Sequence, residues 1–402
     1  MRKTPCEKPH AKTSGVDRKH NRDRLPGGKV RIDRYGLRSA VRLDRAGPRP
    51  PPFEVSCEAM IDRTYENKTH PVSPPRASPA ANRSGARLAQ TSLDYLIWPA
   101  LLGLSLGGVF MALRAGYSAG VVLFAQSVLN ILVIALLEAL RPERREWALH
   151  TDRSVVGDLI HSIAGSVLAG NVGRMLLSVL LALAAAEVSG RQSASLWAAS
   201  WLGGWHIAAQ FLVFLLYMEC ASYWWHRLMH IVPVLWRFHY IHHNPTRMHV
   251  LKAGRVHWFS GIVGTMLKFA LPVALGAPPA LFIAYAAATN IFGTLTHANF
   301  RYRMPGFVHY ILNTAGVHHL HHSTRMDLGN SNFGNILSVW DVVFGSFRHP
   351  DQYRLERVGV IKPAVRDGLV GELIGPLIPG GLLAKNVSAA GGDRSGAIHS
   401  GV

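Results

Sequence analysis

The alternation of polar and hydrophobic stretches divides this chain of 402 residues in two. Residues 1–90 show no sustained apolar period, whereas long hydrophobic runs succeed one another from residue 95. Tyr95–Leu113, Ala119–Leu140, Leu159–Ala186 and Trp201–Tyr217 each approach the roughly 20 residues that cross a hydrocarbon core of about 30 Å. Ile262–Leu275 and Ala280–Leu295 form a shorter pair around Gly276-Ala-Pro-Pro279, a strong turn signal. Spans of this kind satisfy their backbone groups internally as helices. The pattern therefore predicts an all-α, polytopic transmembrane helical bundle. Arg174 interrupts the third run, and a charge at that depth is costly unless it snorkels or faces a cavity.

Charge orients the bundle. Arg141-Pro-Glu-Arg-Arg145 comes directly after the second run, and basic loops mark the cytoplasmic side. Six crossings then bring everything after the fourth run, and everything after the sixth, to that same cytoplasmic face. Without the third crossing those segments would still meet on one face, but outside the cell, against the charge rule.

The net charge of +19 and the hydrophobic fraction of 49% are averages over unlike parts. Residues 1–90 hold 20 of the 43 Lys and Arg against 9 acidic residues, and include the run Pro48-Arg-Pro-Pro-Pro52. This composition reads as a disordered basic tail, without the apolar core and cleavage site of a signal peptide. A solvated tail explains its charge, and no nucleic-acid partner is called for. Residues 91–350 are expected to form the membrane domain. Residues 351–402 read as a C-terminal surface segment with a flexible Gly/Ser/Ala-rich end. Cys6, Cys57 and Cys220 make no CxxC pair, so neither a disulfide framework nor a thiolate metal site is implied.

The chemistry lies in histidines beside these runs. They read His226-Arg-Leu-Met-His230, His239-Tyr-Ile-His242-His243 and His318-His319-Leu-His321-His322, with His297 alone between the last two. Residues three or four apart share a helix face, so each cluster can present several imidazoles to one ion. Imidazole suits iron, copper, zinc and nickel, and so many ligands point to two ions. His206, His249 and His349 stand alone and read as ordinary hydrogen-bonded residues.

Neighbouring residues extend the pattern. Glu219-Cys-Ala-Ser-Tyr-Trp-Trp-His-Arg-Leu-Met-His230, Arg255-Val-His257, His297-Ala-Asn299, Asn332-Phe-Gly334 and Trp340-Asp341 with Phe344-Gly345 occur in that order. Together they resemble the fatty acid hydroxylase and sterol desaturase superfamily of integral-membrane diiron enzymes, over roughly residues 130–350. Trp258 stands where that family often has proline. The resemblance implies His226, His230, His239, His242, His243, His297, His318, His321 and His322 as ligands of two iron ions. It leaves His319 outside the set, and offers Arg255, His257, Asn299, Asn332 and Asp341 as residues that orient ligands. Tyr223, Trp224 and Trp225 read as interfacial anchors.

The same resemblance implies an enzyme that uses dioxygen to hydroxylate or desaturate a lipid, fatty acyl or sterol among them. Its histidine site would face the cytoplasm from a bacterial inner membrane. An unactivated C–H bond needs a metal and dioxygen, because no side chain is a strong enough oxidant. The reaction consumes electrons, yet the sequence has no dinucleotide fingerprint, haem-attachment motif or iron–sulfur cysteine set. The electrons must then come from an external reductase, ferredoxin or b-type cytochrome. Three alternatives remain open: a membrane metal carrier, a zinc hydrolase, and a non-catalytic member of the same fold. The zinc reading is disfavoured because such sites offer three ligands and a nearby base.

Overall fold

The computed structural model describes residues 84–165, 196–361 and 368–378, with a few positions between 168 and 178. The basic tail to residue 83, the end from residue 379 and much of the Leu159–Ala186 run, Arg174 included, lie outside the described residues. Those described are helical, with only isolated β-bridges between loops.

Among the described residues, four helices are long and apolar enough to cross a membrane. They lie in α1 (Ser84–Arg114), α2 (Ala119–Leu140), α4 (Ile207–Ile231) and α7 (Pro279–His297). Between them come α3 (Val155–Ala164), α5 (Pro233–His243) and α6 (Trp258–Ala274), and α8 (Ala315–His321) comes after them. At 17 residues, α6 is a shorter apolar helix. The predicted turn after it forms, with Gly276 at a φ of 72° that glycine adopts without steric cost.

The fourth span starts later than its hydropathy suggested. Trp201–Gly204 makes a separate short turn, and His206 caps the helix by accepting from the Ala208 amide at 3.3 Å. Pro233 cannot continue α4, lacking an N–H, but suits the first position of α5. The chain therefore folds back just after His230, bringing the second histidine cluster against the first.

Large apolar side chains such as Leu104 and Phe124 point outward, 76% and 72% exposed, as a lipid-facing surface requires. Polar contacts join helices inside: Gln126 of α2 donates to the Ala287 carbonyl of α7 at 3.0 Å and to Ser105 of α1 at 3.0 Å. Between α4 and α6, Gly264 lies so close to Trp225 that an added Cβ would stand 2.6 Å from the indole nitrogen.

The C-terminal ends of α2 and α7 are pinned together. The Arg301 amide donates to the Arg141 carbonyl at 2.8 Å, and the Glu143 amide to the Asn299 carbonyl at 3.0 Å. The end of α4 meets α5 through their histidines, and α5 in turn meets α7 through His242 and His297. Three long helices thus finish on one face, which is what the histidine clusters needed.

Candidate metal centre

Nine imidazoles converge on that face in two groups. His226, His230, His239, His243 and His321 form one, and His242, His297, His318 and His322 the other. Within each group the ligand-capable atoms all lie within 4.8 Å of one another. Three histidine-bearing segments contribute to the first group and three to the second. The i, i+4 pair of α4 supplies two members, and the HxxHH of α5 divides between the groups. His319 belongs to neither, pointing instead at Trp147 with ring centroids 5.4 Å apart.

The protons are turned outward. Nδ1–H donates to a main-chain carbonyl from His226 (Phe333, 2.8 Å), His297 (Gly293, 2.8 Å), His321 (Ser331, 2.7 Å) and His242 (Arg255, 3.3 Å). Their Nε2 atoms are left as bare lone pairs. His242 Nε2 and His297 Nε2 nevertheless face each other at 3.3 Å, and His318 Nε2 lies 3.0 Å from His297 Nε2. Two lone pairs at that distance repel unless a cation lies between them. Burial first, then neighbouring histidines, hold His239, His242, His243, His318, His321 and His322 well below the usual imidazole range. A shared proton is therefore disfavoured, and a metal ion is the cation that suits such donors. The buried Nε2 atoms of His230 and His321 have no hydrogen-bond partner either. The residues fit a metal, and outward N–H donors are the usual partners of metal-bound imidazoles.

The residues expected to orient ligands divide by what they touch. Asn332 sits at a φ of 56° and binds the Val317 and Arg348 carbonyls at 3.0 Å each, fixing the turn whose Ser331 and Phe333 carbonyls receive His321 and His226. Asp341 accepts from the Phe333 and Gly334 amides and from Ser346, each at 2.7 Å. Arg255 serves His242 through its main chain, while its guanidinium holds Asp158 at 2.7 Å and Glu372 at 2.5 Å. Buried Glu372 brings part of the segment beyond residue 350 inward, where a surface position was expected. Asn299 and His257 make no hydrogen bond to the nine imidazoles. Asn299 clasps Arg144 through both its side-chain atoms at 2.9 Å, and His257 caps α6 and donates to the Leu373 carbonyl at 3.1 Å. Of the three aromatic residues read as interfacial anchors, Tyr223 is fully buried, its hydroxyl 2.9 Å from Ser346, while Trp224 is 41% exposed.

Sequence reasoning missed Asn330, whose Oδ1 lies 3.2 Å from His230 Nδ1, and Glu138, which accepts the Val250 and Asn299 amides. A third group of metal-capable side chains, Asp152, Asp158 and His249, already holds a cation: the Lys252 ammonium lies 2.7 Å from Asp152 and 2.6 Å from Asp158.

Fold and site define a membrane-embedded helical bundle with a histidine-rich metal site on one face. The fatty acid hydroxylase family profile matches residues 211–346. An ornithine lipid hydroxylase of Rhizobium tropici is 32% identical over 302 residues, 73% of this chain and 86% of that one. Human alkylglycerol monooxygenase is 27% identical over 130 residues, 32% of this chain and 28% of the monooxygenase. A delta(7)-sterol 5(6)-desaturase of Gibberella zeae is 26% identical over 156 residues, 39% and 42% of the two chains. No solved structure matches. The chain belongs to the fatty acid hydroxylase family, whose members named here are lipid-modifying oxygenases and desaturases.

Proposed function

We propose that this protein is a membrane diiron oxygenase that hydroxylates a polar lipid with dioxygen and electrons from an external donor. The convergence of nine imidazoles, four of them with Nδ1–H turned outward to main-chain carbonyls, carries the reading. Similarity along most of an ornithine lipid hydroxylase favours hydroxylation over desaturation and an amino-acid-bearing lipid as the first substrate to test. Residues 91–350 hold the enzyme, and the basic tail and the last residues are accessory.

One iron would be held by His226, His230, His239, His243 and His321, the second by His242, His297, His318 and His322. When bound, they supply the oxidant that activates a C–H bond. The chain keeps the imidazoles neutral by burial, so that their lone pairs are free as ligands. Carbonyls of Gly293, Ser331, Phe333 and Arg255 fix ring orientation and raise ligand basicity. Buried surroundings exclude water from the reacting carbon. The lipid reaches the site from the bilayer, and we take the face to be cytoplasmic in a bacterial inner membrane, on the charge of the Arg141–Arg145 loop.

Metal analysis of the purified protein, then incubation with ornithine lipid, dioxygen and a reducing system, tests this. Two irons per chain and a product heavier by one oxygen atom are expected. One zinc or no metal refutes the diiron reading, and a dehydrogenated product refutes hydroxylation.

A further inference from the structure

His319 is half-buried beside the site histidines but belongs to neither metal group, and its buried Nε2 has no hydrogen-bond partner. Its ring meets Trp147 edge-on at 5.4 Å, and Trp147 is only 4% exposed. On the indole lies the Arg144 guanidinium, 4.6 Å from the ring centroid. Arg144 also lines a surface groove of about 810 Å³, with Arg145, Arg354, Glu143, Glu146 and Glu356. At its inner end the line reaches the second histidine group twice. The His319 side chain interacts with the main chain of His297, and its chain neighbour is His318. A packed path of π-systems thus joins a water-exposed groove to a buried metal group.

We propose that this path delivers electrons: an acidic one-electron carrier protein seats in the Arg144–Arg145–Arg354 groove, and electrons pass by Trp147 and His319 to the metal group of His242, His297, His318 and His322. The inference rests on the oxygenase reading. Hydroxylation takes one dioxygen, two electrons and two protons for each C–H bond. One oxygen atom enters the new C–O–H and the other leaves as water. Each electron oxidises the carrier by one and reduces the metal centre by one, so two carrier encounters serve each turnover. Tunnelling weakens steeply with distance, and closely spaced rings shorten its effective steps.

Charge selects the carrier. The groove's lining is balanced, three arginines against three glutamates, but its surroundings are basic. Arg141, Arg301 and Arg303 surround the single Asp94 carboxylate and leave a positive excess; the last two are about half exposed, with side chains 52% and 51% accessible, and their segment is bonded to the groove's loop through Arg141 and Glu143. A positive surround steers an acidic protein toward the groove and makes its arrival sensitive to salt.

The test uses full-length, iron-loaded protein in detergent, with photoreduced plant-type 2Fe–2S ferredoxin as the acidic carrier and dithionite as a small reductant that needs no docking. Iron reduction is monitored by stopped-flow absorbance, and ferredoxin binding by titration. Trp147→Leu should slow reduction by ferredoxin by an order of magnitude and Trp147→Phe by less, with iron content and dithionite reduction unchanged. Arg145→Glu with Arg354→Glu should weaken ferredoxin binding, and added salt should slow the wild-type reaction. Equal slowing with both reductants, or none with ferredoxin, overturns the route. Unchanged binding in the double arginine variant overturns the docking groove. Failure of the wild-type protein to hold iron would instead overturn the oxygenase reading beneath it.

Discussion

Asp341 never touches the imidazole cluster, yet replacing it with asparagine should loosen the metal. Its carboxylate is fully buried and accepts three hydrogen bonds, Oδ1 from the Phe333 amide and Ser346, Oδ2 from the Gly334 amide, each at 2.7 Å. Asparagine matches its shape but turns one acceptor into a donor. Whichever way the amide lies, at least one buried donor faces an NH2 group, at a cost of about 1–3 kcal/mol. The bonds that survive lose their charge, about 1 kcal/mol each. A total of about 4 kcal/mol falls on the turn that offers the Phe333 carbonyl to His226 at 2.8 Å. Losing such an orienting partner lowers metal affinity roughly 10–100-fold. Iron retention against a graded chelator, read by elemental analysis beside a thermal melt, measures both effects. Ser346→Ala removes one of the three bonds and the contact with the Tyr223 hydroxyl but leaves both amides satisfied, and should cost about 2 kcal/mol. An Asp341→Asn protein that melts early but keeps iron as tightly as wild type would refute the link from Asp341 through Phe333 to His226.

Three further outcomes are expected. His242→Ala and His321→Ala, one in each metal group, should each lose iron and lipid oxidation while still inserting in the membrane; an undiminished rate in either would remove that residue from the ligand set. His257 is held down to about 4 from 6.5, mainly by burial, and its unprotonated Nδ1 caps α6. Its folded value lies below its unfolded one, so its stabilising effect is complete above pH 6.5 and lost as pH falls toward 4, by about 3 kcal/mol. His257→Asn keeps a cap acceptor that does not titrate, so its melting temperature should fall less than wild type across that window; parallel curves would refute the assignment. For topology, a cysteine at Tyr117, between α1 and α2, should react with an impermeant reagent in intact cells, and one at Asp327 should not, in a background lacking Cys6, Cys57 and Cys220; the opposite pattern would reverse the orientation.

Eight of the nine imidazoles could be found in the sequence because their signal is local, while the lone His297 entered through the family resemblance. HxxxH and HxxHH put neighbours on one helical face whatever the rest of the chain does. Hydropathy likewise exposed α1, α2, α4 and α7, since each must be apolar along its whole length. It misjudged the start of α4, where Gly203 and Gly204 break an otherwise continuous apolar run. The partners that aim the rings left little trace. Phe333, Ser331 and Gly293 act through main-chain carbonyls, and a carbonyl has no residue signature. Asn299 and His257 stood in motifs and looked like ligand partners, but a motif fixes a residue's place in the chain without fixing which way it faces.

What the spacing of histidines could not reveal is how loops from distant parts of the chain are held in register around them, and buried carboxylates do much of this. Glu138 of α2 accepts the Val250 and Asn299 amides, both at 2.8 Å. The first of these lies beyond the second histidine cluster and the other just beyond His297. Glu219 of α4 accepts the Ile336 and Leu337 amides at 2.6 and 2.9 Å and the Tyr285 hydroxyl at 2.9 Å, fixing the segment beyond the third cluster. Asp341 then holds the Phe333 turn. Helix ends and irregular loops leave peptide N–H groups without partners, and away from water each would be costly. One carboxyl group satisfies two at once, which offsets the cost of burying it. These acids bind main-chain amides and make no hydrogen bond to the nine imidazoles. Glu138 sits on a helix that supplies no imidazole, and Glu219 lies two turns before His226 on one that supplies two. A purely apolar residue at either position would leave a pair of buried amides unsatisfied and free the very loops that carry the ligands. The site's precision therefore depends on acidic residues that bind no metal.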